Sequence, residues 1–165
     1  ISSQCYQQTS FYLLLQRLSL LQKTSVSIAT YYDAQFGVGH NGLFGLNKVN
    51  KMIRLKSFYA MKAFGHLYCL GNSASIICDQ GVYGCAAIND NEAAVLLVNC
   101  CGSEECIKTN ISGLFDTNVS VTTYSLDEEN NLEAVKFEKI SSEKLVLYNT
   151  LKENTVVLIK IKKRP

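Results

Sequence analysis

From residue 74 onward the sequence is a succession of short apolar stretches cut by turn residues at near-regular intervals. No other feature restricts the possible folds so strongly. Candidate strands fall at 75–78, 82–88, 93–100, 107–112, 119–125, 134–140, 145–148 and 156–162. Between them lie Asp79-Gln80-Gly81, Asn89-Asp90-Asn91, Cys101-Gly102-Ser103, residues 127–131 and Lys152-Glu153-Asn154. Such residues accept positive φ or hydrogen-bond their own backbone, so they turn the chain. Val135-Lys136-Phe137-Glu138 and Ile159-Lys160-Ile161-Lys162 alternate, which gives each strand one wet face. Residues 93–98 are apolar throughout and read as a central strand. The spacing predicts an antiparallel β-sandwich.

The first 72 residues have a different rhythm. Phe11, Leu14, Leu15, Leu18 and Leu21 recur at the helical period over 10–23, and Leu13 and Leu20 widen the apolar face. A helix of this kind needs cover on more than one side. Thr24-Ser25 ends it, and a strand is expected over 26–32, with Val26, Ile28 and Thr30 alternating against Ser27, Ala29 and Tyr31. A polar and aromatic cluster (Tyr31 to Gln35) and a glycine-rich loop follow. A second helix over 55–70 carries Phe58, Tyr59, Ala63, Leu67 and Leu70 on one stripe, with Gly71-Asn72 as its stop. The expectation is a mainly β protein, with a helix–strand–helix segment over 1–72 and a β-sandwich over 73–165.

Charge divides the chain in the same sense. Residues 1–80 carry seven Lys/Arg against two Asp, whereas residues 81–165 carry nine Lys/Arg against twelve Asp/Glu. Opposite balances suggest two regions docked on each other. The basic run from Lys48 to Lys62 has no accompanying nucleic-acid motif and reads as a solvated or domain-facing surface, so no nucleic-acid partner is expected. No window reaches ~18 apolar residues, so no membrane partner is expected either.

Seven cysteines without regular spacing argue against a disulfide framework and for a reducing, cytoplasmic compartment. No basic-then-apolar signal segment stands at the start, although the sequence opens on Ile1. At least five of the cysteines are expected reduced and buried, since most sit inside apolar runs. Gly37-Val38-Gly39-His40-Asn41-Gly42 matches a dinucleotide fingerprint in letters, but no helix pattern opens at its third glycine. His66 and Cys69, three apart on one helix, make at most half a metal site. Neither a cofactor nor a metal is expected.

Three features in fixed order carry a resemblance. A leucine-rich helix leads into SIATYYDAQ (27–35) and NGLF (41–44); LKSFYAMKAFGHLYCLG (55–71) follows; then come VYGCAAIND, AAVLLVN, NISGL and YSLDEENNLE. Together they resemble the C-terminal part of glycoside hydrolases with a (β/α)8 barrel, the β-xylosidase and α-L-iduronidase group, family 39. The resemblance implies that residues 10–23, 26–32 and 55–70 match the seventh helix, eighth strand and eighth helix of such a barrel, with the sandwich packed at its side. Where such proteins often continue with Pro-Leu-Lys, Gly45 follows Phe44 here and Ile53-Arg54 precede Leu55.

The same resemblance implies that the two catalytic glutamates lie upstream of Ile1. Retaining glycosidases need two carboxylates ~5–5.5 Å apart, and Asp33 is the only acidic residue before Asp79. No catalytic residue is therefore expected in this chain. Tyr31, Tyr32, Asp33 and Asn41 would line a rim of the substrate cleft, and carbohydrate would be a partner only with an upstream barrel attached. The bland reading is that Asp33 ends a strand and satisfies loop donors. A free-standing carbohydrate-binding or protein-interaction module is the alternative. Lacking barrel neighbours, the isolated chain is expected to self-associate through residues 10–45.

Overall fold

The computed structural model describes residues 11–31, 42–79, 81–100, 103–114, 117–142 and 144–164. Helix α1 is Phe11–Leu21 and helix α2 is Lys56–Leu70. Ten strands accompany them: β1 Phe44–Leu46, β2 Met52–Arg54, β3 Asn72–Ala74, β4 Val82–Ile88, β5 Glu92–Asn99, β6 Glu105–Ile111, β7 Asn118–Leu126, β8 Asn131–Ser141, β9 Leu145–Leu151 and β10 Val156–Lys163. The order in the main sheet is β3-β4-β5-β10-β7-β8, every pair antiparallel.

The burial of β5 and β10 explains that order. Residues 93–99 of β5 and 156–159 of β10 are buried on both faces, so neither strand can sit at an edge. β10 lies between β5 and β7, with Leu158 opposite Leu96 on one side and Tyr124 on the other. On one face, Leu96, Val98, Leu126, Val156 and Leu158 meet Phe11 and Leu15 of α1 and Ala60, Ala63, Leu67 and Leu70 of α2. On the other, Val95, Leu97, Val121, Val157, Ile159 and Ile161 meet Leu145, Leu147 and Leu151 of the β6–β9 ribbon. The antiparallel sandwich expected from the spacing is present, with two helices laid over its outer face.

Both edges of the main sheet are blunted. β3 is only three residues long. β8 carries Glu133, Lys136, Glu138 and Lys139 and slips register against β7 at Thr123/Tyr124 and Ser125/Leu126. Short, charged and irregular edges resist pairing with another chain.

The helices follow their sequence closely. Phe11, Leu15 and Ser19 of α1 turn inward, while Leu13 and Leu20 stay exposed. Thr24 closes its end by donating its hydroxyl to Leu21 O at 2.8 Å. In α2 the inward stripe is Ser57, Ala60, Ala63, Leu67 and Leu70. Alanines at its centre bring the helix backbone close to its neighbours. Gly71, at φ 91°, ends the helix with its N–H on Tyr68 O.

Three expectations are corrected. Residues 26–31 form no strand, and residues 22–30 are exposed throughout. Val26 is 52% and Ile28 82% exposed, and the segment has no ladder partner among the described residues. Alternation alone does not make a strand where no neighbour accepts its hydrogen bonds. Residues 75–78 likewise form no ladder. Ile76 and Cys78 pack into the ribbon-side core while Ile77 is 95% exposed. This crossing is so close that a Cβ on Gly84 would lie 2.9 Å from both Ile76 Cδ1 and Leu96 O. Finally, most of the described cysteines are not buried. Only Cys85 is buried; Cys69 and Cys106 are exposed, and Cys78 and Cys100 are intermediate. Cys69 lies on the outer side of α2 and Cys106 on a two-stranded ribbon, where one neighbour cannot enclose it.

Candidate functional site

One residue, Ser57, contacts both Tyr31 and Gly42. Ser57, in the first turn of α2, is 3% exposed and donates its hydroxyl to Gly42 O. The same side chain shares a hydrogen bond with the Tyr31 hydroxyl. Burial pushes the Tyr31 phenol above its ordinary 10.0, and the Ser57 contact pulls it back only in part. Tyr31 therefore stays protonated near neutral pH, and its O–H can donate to Ser57 while Ser57 donates onward to Gly42. Ser57 is the residue that sequence reasoning missed. Its signal was weak: a polar side chain on the inward stripe of an otherwise apolar helix, three residues before Ala60.

Of the proposed rim, the structure places Tyr31, half-buried beside α2. Tyr32, Asp33 and Asn41 lie outside the described residues. Beyond Gly42 the chain makes the β1–β2 hairpin, in which Phe44 faces Arg54 and Leu46 faces Met52. Asn47 closes the turn, accepting from Val49 N at 3.0 Å and Lys51 N at 2.9 Å, and Asn50 takes φ 56°. An aromatic row seats the hairpin on α2: Phe44 is 5.4 Å from Phe58, and the Arg54 guanidinium lies 5.1 Å over the Phe58 ring. This hairpin occupies the positions where the sequence departs from the resembled pattern.

The far end of the sheet ties into α2 as well. Asp127 accepts from Ser125, Glu129 and Asn130, and Lys56 Nζ donates to Asn130 O at 2.9 Å. Burial alone would raise the Asp127 carboxyl, but those hydrogen bonds together hold it below its ordinary range. His66 pairs with Glu92 at 2.9 Å and Cys69 is exposed, so the half metal site is not assembled. Among the described residues no three metal-ligating side chains converge, and no helix is long and apolar enough to cross a membrane.

With this geometry the chain is similar to solved glycoside hydrolases. It matches a glucosidase from Croceicoccus marinus over 96% of its own length and 42% of that chain, with a TM-score of 0.75 and 13% identity. A GH39 enzyme from Xanthomonas axonopodis pv. citri matches over 96% of this chain and 41% of that one, at TM-score 0.74 and 12% identity. A monomeric β-xylosidase from Caulobacter crescentus CB15 matches over 97% and 42%, at TM-score 0.69 and 15% identity. The chain thus shares the fold of part of these enzymes and spans about two fifths of their length. No protein-family model matches the sequence, and no curated protein is significantly similar to it.

Proposed function

We propose that the chain is the C-terminal, non-catalytic portion of a longer β-xylosidase-like glycoside hydrolase. In this reading its sandwich buttresses an upstream barrel that holds both catalytic glutamates. The observation that carries it is the coverage: nearly the whole chain, helices and sheets together, matches only 41–42% of the three glycosidases. Chemistry agrees. Asp33 is the only acidic residue before Asp79, and one carboxylate cannot serve as both nucleophile and acid/base. In that setting the upstream barrel would supply strand partners to residues 26–31, and Tyr31, Tyr32, Asp33 and Asn41 would sit on the rim of the cleft. Ser57 keeps that rim in place by tethering Tyr31 and Gly42.

Assay of the isolated chain on nitrophenyl xyloside, arabinoside and glucoside is expected to give no turnover. Coexpression with the coding region upstream of Ile1 is expected to give a complex that turns over one of them. Turnover by the isolated chain that disappears in Asp33→Asn would sink this reading.

A second reading, a free-standing carbohydrate-binding or protein-interaction module, is favoured by one observation. The two helices and the main sheet share a closed core of their own. An upstream stop codon or an unrelated upstream domain would select it.

A further inference from the structure

The helix-covered face of β10 changes character along its length. Val156 and Leu158 lie in the core beneath the helices, and the next residues on that face are Lys160 and Lys162. Lys160 Nζ lies 3.3 Å from His66 Nδ1 on α2. His66 Nε2 lies 2.9 Å from Glu92 Oε1 on β5, and Glu92 Oε2 lies 3.4 Å from Lys162 Nζ. An ammonium can only donate, so His66 Nδ1 accepts, and the ring proton sits on Nε2 and goes to Glu92. The imidazole is therefore a neutral, oriented base in direct contact with a lysine.

Lys160 is half-buried, with its Nζ 5.1 Å from the centre of the Tyr124 ring. Tyr124 and Glu92 favour the ammonium form. Burial, Lys162 and Lys62 outweigh them and hold the amine below its ordinary 10.5. Burial, Lys160 and Lys162 keep His66 below 6.5 despite Glu92. Lys160 is not enclosed: its side chain keeps part of its surface in solvent, where a molecule of a few carbons can approach.

We propose that Lys160 is a reactive amine that condenses with small aldehydes, with His66 as its proton acceptor and donor. The Lys160 ammonium passes a proton to His66 Nδ1. The freed amine adds to the carbonyl carbon, forming a C–N bond, and a proton shifts from nitrogen to the former carbonyl oxygen. The resulting carbinolamine takes the proton back from His66 onto its hydroxyl, which leaves as water. A protonated imine and a neutral imidazole remain, so no oxidant or reductant is needed. Glu92 and Lys162 act as positioning residues, fixing the ring. This assignment is independent of the glycosidase reading.

Incubation of the full chain with glyceraldehyde and cyanoborohydride, followed by site-resolved mass spectrometry, tests it. Lys160 is expected to be labelled faster than the exposed Lys48 and Lys51 by about threefold or more, as for amines desolvated beside other cations. In His66→Gln the Lys160 rate is expected to fall to within about twofold of those two references, because the proton relay is gone. Labelling that follows exposure alone would overturn the proposal. So would a Lys160 preference unchanged in folded His66→Gln. If that variant melts, Glu92→Gln gives the same reading: a partial fall in Lys160 labelling supports the relay, and none overturns it.

Discussion

Two stretches of this chain both read as strands and end differently. Residues 26–31, VSIATY, and residues 156–161, VVLIKI, are both rich in β-branched residues. The second lies at the centre of the six-stranded sheet, hydrogen-bonded to β5 and β7, with Val156 and Ile159 fully buried. The first joins no ladder and lies in solvent, with Ile28 82% exposed. The contrast separates what a strand sequence offers from what a sheet supplies. β-propensity describes a side chain that suits a pleated, half-buried surface. Only neighbouring strands provide that surface and the partners for backbone N–H and C=O groups.

The largest expected effect tests the centre against the periphery. Leu158→Ala removes a fully buried side chain and is expected to cost about 2–5 kcal/mol in urea unfolding. Ile28→Ala should stay within about 0.5 kcal/mol, as exposed substitutions do. Equal costs would erase the distinction between the two stretches.

Next in size is the drive to cover the exposed stretch. We expect the isolated chain to form dimers or larger species in light scattering, through Leu13, Leu20, Val26 and Ile28. The double change Val26→Glu with Ile28→Glu should return it to monomer, since burying one such side chain contributes about 1.5–3 kcal/mol. Leu14 and Leu18 would not serve as probes, since they pack against the core and their loss would unfold the chain instead. A clean monomer at micromolar concentration would show that residues 26–31 need no cover.

A smaller effect belongs to the tether between the two regions. Ser57→Ala removes the donor to Gly42 O and the Ser57 contact of Tyr31, at an expected cost of about 1–2 kcal/mol. Tyr31→Phe should cost less and should not add fully to Ser57→Ala, because one hydrogen-bond chain is lost in both. Full additivity would mean that the tether does not act as a unit.

The smallest effect is in pH. His66 and Asp127 both have folded pKa values below their ordinary ones. Their contributions are therefore complete above those ordinary values and fall away as pH drops through the folded ones. Urea midpoints should decline first below pH 6.5, through His66, and again in the carboxylate range through Asp127. Both groups are only partly buried, so solvent screening should keep each step under about 1 kcal/mol. A midpoint that rises on acidification would contradict the sign.

Much of this fold was legible in the sequence. Regular turn spacing gave β4 to β10, and the unbroken apolar run over 93–98 marked a central strand. What stayed illegible were relations between distant residues. Nothing local tells that Ile76 and Cys78 pack over Gly84 without joining a ladder, or that a three-residue hairpin arm precedes α2. The candidate site was less legible still. Tyr31 could be picked out by its place after an apolar stretch. Ser57 could not, because its role depends on Gly42 and Tyr31 arriving at one helix turn. His66 was noticed for its spacing to Cys69, whereas its partners Glu92 and Lys160 come from two other strands.

The position of β10 has a consequence for how the protein is made. It is the last strand in sequence, yet it joins β4–β5 to β7–β8. During translation at ~5–20 residues per second, β5 leaves the ribosome seconds before the strand that pairs with it. Until then each half of the sheet exposes an apolar edge in the middle of what will become the core. The nascent chain is thus most vulnerable to aggregation in the interval before β10 emerges, and a chaperone that shields β5 and β7 would act then.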